Sequence, residues 1–221
     1  ERLTEAHRTV LGSGRTDRGV HATGQVATVS VPVRWTPAAF RKAINAILPD
    51  DIWVKDAQAV PVAFHPRYDA VARTYIYRIG MNEEAHSPFL RHWCWCIQQP
   101  LDRGLLEEAA ARIVGGHSFA AFAKAGKPER STHCTVSSTL WEPWEELGLT
   151  FTITANRYLR HMVRYLVGTM VEIARGGRPP DDLSRLIDQG HTRGRGTSAP
   201  APARGLFLAA VEYPAQALGQ T

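Results

Sequence analysis

The chain has 221 residues, 44% of them hydrophobic and 21% charged, an ordinary globular composition with apolar material for a sizeable core in one large domain or two small ones. Lys and Arg outnumber Asp and Glu by 26 to 21, a formal net charge of +5, and such a basic balance points to a polyanion such as nucleic acid as a partner. No apolar run approaches the ~20 residues that cross a bilayer, the charged start Glu1 to His7 resembles no signal peptide, and three cysteines form no even disulfide framework, so the cytoplasm is the expected compartment.

The chain opens on Glu1 to Arg8, where Leu3, Ala6 and His7 fall at the spacing of a helix end. Gly12 to Gly24 holds four glycines and predicts a structured loop. Gln25 to Val33, rich in Val and Thr, predicts a strand. Thr36-Pro37 is a helix start, with Thr as N-cap and Pro at the first helical position. Phe40, Ile44, Ile47 and Leu48 then mark one apolar face before Pro49-Asp50-Asp51 ends the helix. Ile52 to Val60 is a second strand candidate, and Pro61 to Pro66 reads as a domain join. The expected division is residues 1–62, residues 63–215 and a tail at 216–221.

Beyond the join, Val71, Arg73, Tyr75, Tyr77 and Ile79 share one face of a predicted strand. Leu101 to Val114 predicts a helix that stops at Gly115-Gly116. Cys134 to Trp141 and Leu149 to Ala155 predict a strand pair. Arg160 to Ala174 predicts a helix ending at Gly176-Gly177, with Val163, Leu166, Val167, Met170 and Ile173 as its buried stripe. Pro180 to Gln189 is a short helix closed by Gly190. Thr192 to Arg204 is a loop rich in Gly, Pro and Arg, and Leu206 to Tyr213 closes the chain as a strand. This mixture predicts an α+β fold with mostly antiparallel sheet flanked by helices. Cys94-Trp95-Cys96 lacks the spacing of a zinc knuckle, so the thiols, Cys134 included, read as buried or idle rather than as metal ligands.

The most informative stretch is Gly12-Ser13-Gly14-Arg15-Thr16-Asp17-Arg18-Gly19-Val20-His21-Ala22. It lacks the G-K-[ST] ending of a phosphate-binding loop, Asp17 stands where a third glycine of G-x-G-x-x-G would be, and it is not a G-x-S-x-G elbow. What remains is one carboxylate between two arginines on a glycine-rich loop. An Asp in such a loop commonly caps a turn. The chemical alternative is an ionised nucleophile, its charged form favoured by Arg15 and Arg18, on a loop whose glycines admit close approach of a substrate.

Gly14-Arg15-Thr16-Asp17, followed by Gly19-Val20-His21-Ala22 and Gly24-Gln25-Val26, resembles the signature loop of the TruA family of tRNA pseudouridine synthases. The resemblance continues in order through Phe64-His65-Pro66-Arg67-Tyr68, Ala72-Arg73-Thr74-Tyr75 with Tyr77, Gly116-His117-Ser118-Phe119 with Phe122, Tyr158-Leu159-Arg160-His161-Met162-Val163-Arg164 with Val167-Gly168, and Ala199-Pro200-Ala201 with Gly205-Leu206. It covers nearly the whole chain, and the motifs around Asp17 and Arg164 are its most specific parts.

The resemblance implies an isomerase that converts uridine to pseudouridine at positions 38, 39 and 40 of the tRNA anticodon stem-loop, with Asp17 as nucleophile. It implies that Arg164 pairs with Asp17, that Tyr75 stacks on or hydrogen-bonds the uracil, that Arg15 helps hold the extruded nucleotide and that Leu206 lines the base pocket. Tyr77 is expected in the core and His21 as a structural loop residue. His161 is expected to face RNA or to be structural. Lys124, Lys127, Arg130 and the arginines of 192–204 are candidate phosphate contacts or a solvated basic loop. The implied protein has two domains with an active-site cleft between them, needs no cofactor or metal, works as a homodimer with one tRNA across both subunits and contacts no membrane. A synthase with another RNA target and a non-catalytic RNA-binding protein are the alternatives, although Asp17, Tyr75 and Arg164 are all in place. The family normally opens with a strand, a Tyr-Asp-Gly loop and a Gly-Trp-Gln element that this sequence lacks, so the first sheet is expected to be incomplete. Arg18 replaces the usual small residue after the aspartate.

Overall fold

A computed structural model describes residues 3, 4, 6–124, 131–189 and 196–219. Contacts divide the chain into two compact units, one of Glu1–Arg15, Val26–Ala70 and Tyr213–Thr221, the other of Thr16–Gln25 and Val71–Glu212. These boundaries differ from a simple division at 62/63, and local bonds show why. The Tyr213 hydroxyl donates to the Pro66 carbonyl at 2.6 Å and the Tyr213 ring meets Phe64 edge-on at 5.0 Å, tying the join segment to the chain's end. Residues 16–25 group with the later chain because they pair with its last strand, as described below.

In the first unit, strands β1 (Leu11–Gly12) and β3 (Ala27–Thr28) form a two-stranded antiparallel ribbon. The ladder is far shorter than the strand expected over 25–33. Helix α1 (Pro37–Asn45) begins as the sequence predicts, with the Thr36 hydroxyl accepting from the Ala39 amide at 3.3 Å. No residue of α1 is fully buried, and Ile47 and Trp53 lie exposed beyond it. The expected strand at 52–60 makes no ladder among the described residues. Its backbone bonds instead to α1 side chains: Asn45 donates to the Val54 carbonyl and accepts from the Val54 amide, and Arg41 donates to the Lys55 carbonyl. Residues 3 and 4 form a turn, 6 a bend and 7 and 8 no regular element rather than a helix end, while 1, 2 and 5 lie outside the described residues.

The second unit is built on a seven-stranded sheet. Its strands are β2 (His21–Ala22), β4 (Ala72–Gly80), β5 (Trp95–Cys96), β6 (Gly115–Ser118), β7 (His133–Trp144), β8 (Gly148–Ala155) and β9 (Leu206–Glu212), in the order β2-β9-β4-β8-β7-β6 with β5 also beside β4. The β2–β9 and β4–β5 pairs are parallel and the others antiparallel. With helices α2 (Arg103–Ala111), α3 (Met162–Ala174) and α4 (Asp182–Gln189) this is an α+β unit. Tyr77, Ile79, Phe151 and Ile153 from the sheet meet Leu106 of α2, Leu166 and Met170 of α3 and Leu183 of α4 in one apolar cluster. Such burial, at roughly 25 cal/mol per Å² of apolar area removed from water, is the main force holding the unit together.

Helix α3 is buried on more than one stripe. Gly168, Thr169 and Val171 are covered as well as the predicted Val163, Leu166, Val167, Met170 and Ile173. Its end is a Schellman motif: Gly176, at φ 74°, donates to the Ile173 carbonyl, and Gly177 donates to that of Glu172, the arrangement glycine makes cheap after a helix. Gly115 and Gly116, expected only to stop α2, also begin β6. The expected helix stop Gly190 lies outside the described residues.

Candidate active site

The glycine-rich loop is placed by three local features. Asp17 to Val20 is a β-turn in which the Val20 amide donates to the Asp17 carbonyl at 3.0 Å. Its third residue, Gly19, has φ 82°, a conformation that a side chain would oppose. After the turn, β2 pairs parallel with β9, His21 beside Phe207 and Ala22 beside Leu208. The Thr23 and Gly24 amides then both donate to the Leu208 carbonyl. Gly24 passes so close that a Cβ there would lie 2.0 Å from the Ala209 oxygen. The ladder between β4 and β9 shifts register between Thr74 and Tyr75, so a bulge lies where the loop is sewn to the sheet, a common device beside functional sites.

Two side chains near the start of α3 reach Asp17. Arg164 has its Nη1 3.7 Å from Asp17 Oδ2, while its Nε donates to the Ala201 carbonyl at 2.7 Å. The Ala201 amide returns a bond to the Arg164 carbonyl at 2.9 Å. The motif Ala199-Pro200-Ala201 thus serves as the brace that aims the guanidinium. His161 is closer still, its Nε2 3.0 Å from the same carboxylate oxygen. Sequence reasoning set His161 aside, and no residue pattern announces the left-handed backbone from which its ring reaches Asp17. Burial lowers the His161 pKa from its ordinary 6.5, and the charges of Arg164, Lys124 and Arg160 add to this against the opposing pull of Asp17. The shift favours the neutral imidazole near pH 7.

Tyr75 stands half-buried on β4, its ring edge-on to Tyr158 at 4.9 Å. Its pKa is raised, chiefly by burial; Arg73 opposes the rise and Asp17 adds to it, so the phenol stays protonated. The Tyr158 hydroxyl is occupied with the Arg73 and Ile153 carbonyls. Tyr77 is fully buried and donates to the Pro202 carbonyl at 2.8 Å. Leu206 is 6% exposed, within the main apolar cluster and opposite Tyr77 in the ladder. Arg15 is exposed and belongs to the first unit, and Arg18 is exposed. His21 is taken up by packing: it stacks on Phe207 at 4.9 Å, lies 4.6 Å from Trp93, and its Nε2 is 3.0 Å from the His92 carbonyl. Lys124 is described, whereas Lys127, Arg130 and residues 192–195 lie outside the described residues.

A carboxylate with an imidazole and a guanidinium set against it is an arrangement that can support nucleophilic chemistry. Similarity to known proteins points to one family. The family model described as tRNA pseudouridine synthase matches residues 1–69 and 109–214. Curated relatives called tRNA pseudouridine synthase A include those of Roseiflexus castenholzii, 38% identical over 97% of this chain and 78% of the relative, and Syntrophotalea carbinolica, 39% identical over 94% and 81%. A third, from Maridesulfovibrio salexigens, is 35% identical over 100% of the chain and 80% of the relative. The chain belongs to the tRNA pseudouridine synthase family. No helix among the described residues is long and apolar enough to cross a membrane.

Proposed function

We propose that this isomerase converts uridine to pseudouridine at positions 38, 39 and 40 of the tRNA anticodon stem-loop, with Asp17 as its nucleophile. The observation that carries the reading is the Asp17 carboxylate, held by His161 at 3.0 Å and faced by Arg164 at 3.7 Å. The reaction breaks the N1–C1′ bond, turns the uracil and joins C5 to C1′; C5 gives up its proton and N1 gains one. A carboxylate serves this by attacking C1′, by stabilising positive charge there on a glycal route, or by adding to C6. The target nucleotide must first leave the stack, because C1′ and C5 are otherwise out of reach.

Arg164 pairs with the carboxylate and aims it. Tyr75 offers a ring face and a protonated hydroxyl to the uracil, Arg15 helps hold the extruded nucleotide, and Leu206 supplies an apolar wall. The isomerisation is redox-neutral and its atoms balance without a co-reactant, so the reading assigns no cofactor. The family resemblance supports a two-domain homodimer that shares one tRNA and works in the cytoplasm. The test is tritium release from a tRNA transcript labelled at uridine C5. Release that vanishes in Asp17→Asn supports the reading, and release that persists in that variant overturns Asp17 as nucleophile. Transcripts with single labelled positions distinguish 38, 39 and 40 from other targets.

A further inference from the structure

We propose that His161 is a positioning residue for the nucleophile, a neutral Nε2–H donor that fixes the rotamer of the Asp17 carboxylate. The proposal rests on the reading of Asp17 as nucleophile. The first support is distance. Among the described side chains, His161 makes the shortest polar contact to Asp17, 3.0 Å against 3.7 Å for Arg164. Arg164 has its Nε committed to Ala201, so its guanidinium stands farther from the carboxylate than the imidazole, whose Nε2 is within hydrogen-bond distance.

The backbone supports it independently. His161 is the N-cap of α3, a position that ordinarily has extended geometry and turns a side-chain oxygen back onto the helix amides. Here it has φ 64° and ψ 4° and makes no side-chain cap bond. Glu145 is the other non-glycine with positive φ among the described residues. A non-glycine residue in the left-handed region is uncommon, although histidine reaches it more readily than most, and residues held there gather at functional sites. Two neighbouring bonds do the fixing: the Lys124 amide donates to the Arg160 carbonyl at 3.0 Å, and the Tyr165 amide to that of His161 at 3.1 Å. The ring is then 12% exposed, beside an Asp17 side chain that is 32% exposed.

The charged groups facing His161 are Asp17 from the loop, Arg164 from α3, Arg160 just before it and Lys124 from the segment after β6. Three are cations, and together with burial they keep the imidazole neutral. A proton on it would set a second cation against Asp17 and hold the carboxylate as a tight ion pair, a weaker nucleophile. Activity therefore falls on the acid side as His161 titrates.

The test compares four chains, wild type, Asp17→Asn, His161→Leu and His161→Gln, by single-turnover tritium release from tRNA between pH 5.5 and 8, with tRNA affinity measured in parallel. His161→Leu removes the donor and is expected to lower kcat by about 10- to 100-fold, the worth of one hydrogen bond to a charged group, with tRNA affinity within about twofold of wild type. His161→Gln returns an N–H near the Nε2 position, cannot titrate, and is expected to recover most of the lost rate and flatten the acid limb. Wild-type rate in His161→Leu with a silent Asp17→Asn overturns the positioning role alone. Release in Asp17→Asn overturns the nucleophile reading beneath it. A His161→Gln chain that binds tRNA yet is as slow as His161→Leu also overturns the proposal, because a donor would then not suffice.

Discussion

The backbone of Gly168 on α3 and that of Ala199 are packed so closely that a Cβ on Gly168 would lie 2.2 Å from the Ala199 carbonyl oxygen. The obstacle is backbone, not a flexible side-chain end, so it cannot step aside. Gly168→Ala should push the 199–201 segment off the helix and loosen the paired bonds between Ala201 and Arg164. The expected loss of stability is about 1–3 kcal/mol, the usual cost of overpacking, read by urea denaturation. Tritium release should fall further than stability alone explains, since the aim of Arg164 depends on that segment. Unchanged release in a folded Gly168→Ala chain would show that the brace does not matter.

Much of this was legible in the sequence, for identifiable reasons. Gly19, Gly24, Gly168 and Gly176 each stand where the backbone turns left-handed or touches another chain segment, so their places in the motifs carry geometry. The α3 stripe was legible because five apolar residues repeat at helical spacing. The burial of Val171 and Thr169 was not, since it comes from other segments covering the remaining sides of α3. The strand expected at 52–60 failed for a similar reason. Ile52, Trp53 and Val54 favour an extended chain, but a ladder needs a partner, and here Asn45 and Arg41 take the backbone bonds instead. His161 was missed because its role depends on a φ of 64°, which no residue pattern announces.

Arg164 makes two different contacts with one guanidinium, Nε to Ala201 and Nη1 toward Asp17. A lysine ammonium is a single point and cannot serve both. Arg164→Lys should therefore lower kcat by roughly 100-fold, while tRNA affinity changes little. Single-turnover tritium release at saturating enzyme reads the rate, and filter binding reads the affinity. A rate within about twofold of wild type would show that positive charge alone suffices at this position.

Arg178 and Asp182 form a buried ion pair, their side chains 1% and 5% exposed. Arg178 also donates to the Ser198 hydroxyl at 3.1 Å and the Gly196 carbonyl at 2.7 Å, so it anchors the segment that leads to Ala199 and Ala201. Arg178→Met leaves a buried carboxylate with, among the described residues, the half-exposed Arg185 as its remaining cation, and should cost about 3–5 kcal/mol. Replacing both, Arg178→Met with Asp182→Leu, should recover a good part of that loss, because no charge is then stranded. Denaturation midpoints of the three chains check the ordering. A double variant less stable than Arg178→Met would overturn the account.

His161 also sets a pH dependence of stability. Its folded pKa lies below the ordinary 6.5, so between the two values the unfolded chain binds more protons than the folded one and stability rises with pH. The contribution is complete above about 6.5 and is lost as pH falls through that value toward the folded pKa. Urea denaturation of the wild type from pH 8 to 5 should show this decline on the acid side. His161→Gln has no titrating ring and should show a shallower decline over the same range, even where its stability at pH 8 differs from wild type. Parallel curves for the two chains would mean that the folded and unfolded pKa values of His161 coincide, so that the imidazole is not held neutral by its burial and by Arg164, Lys124 and Arg160.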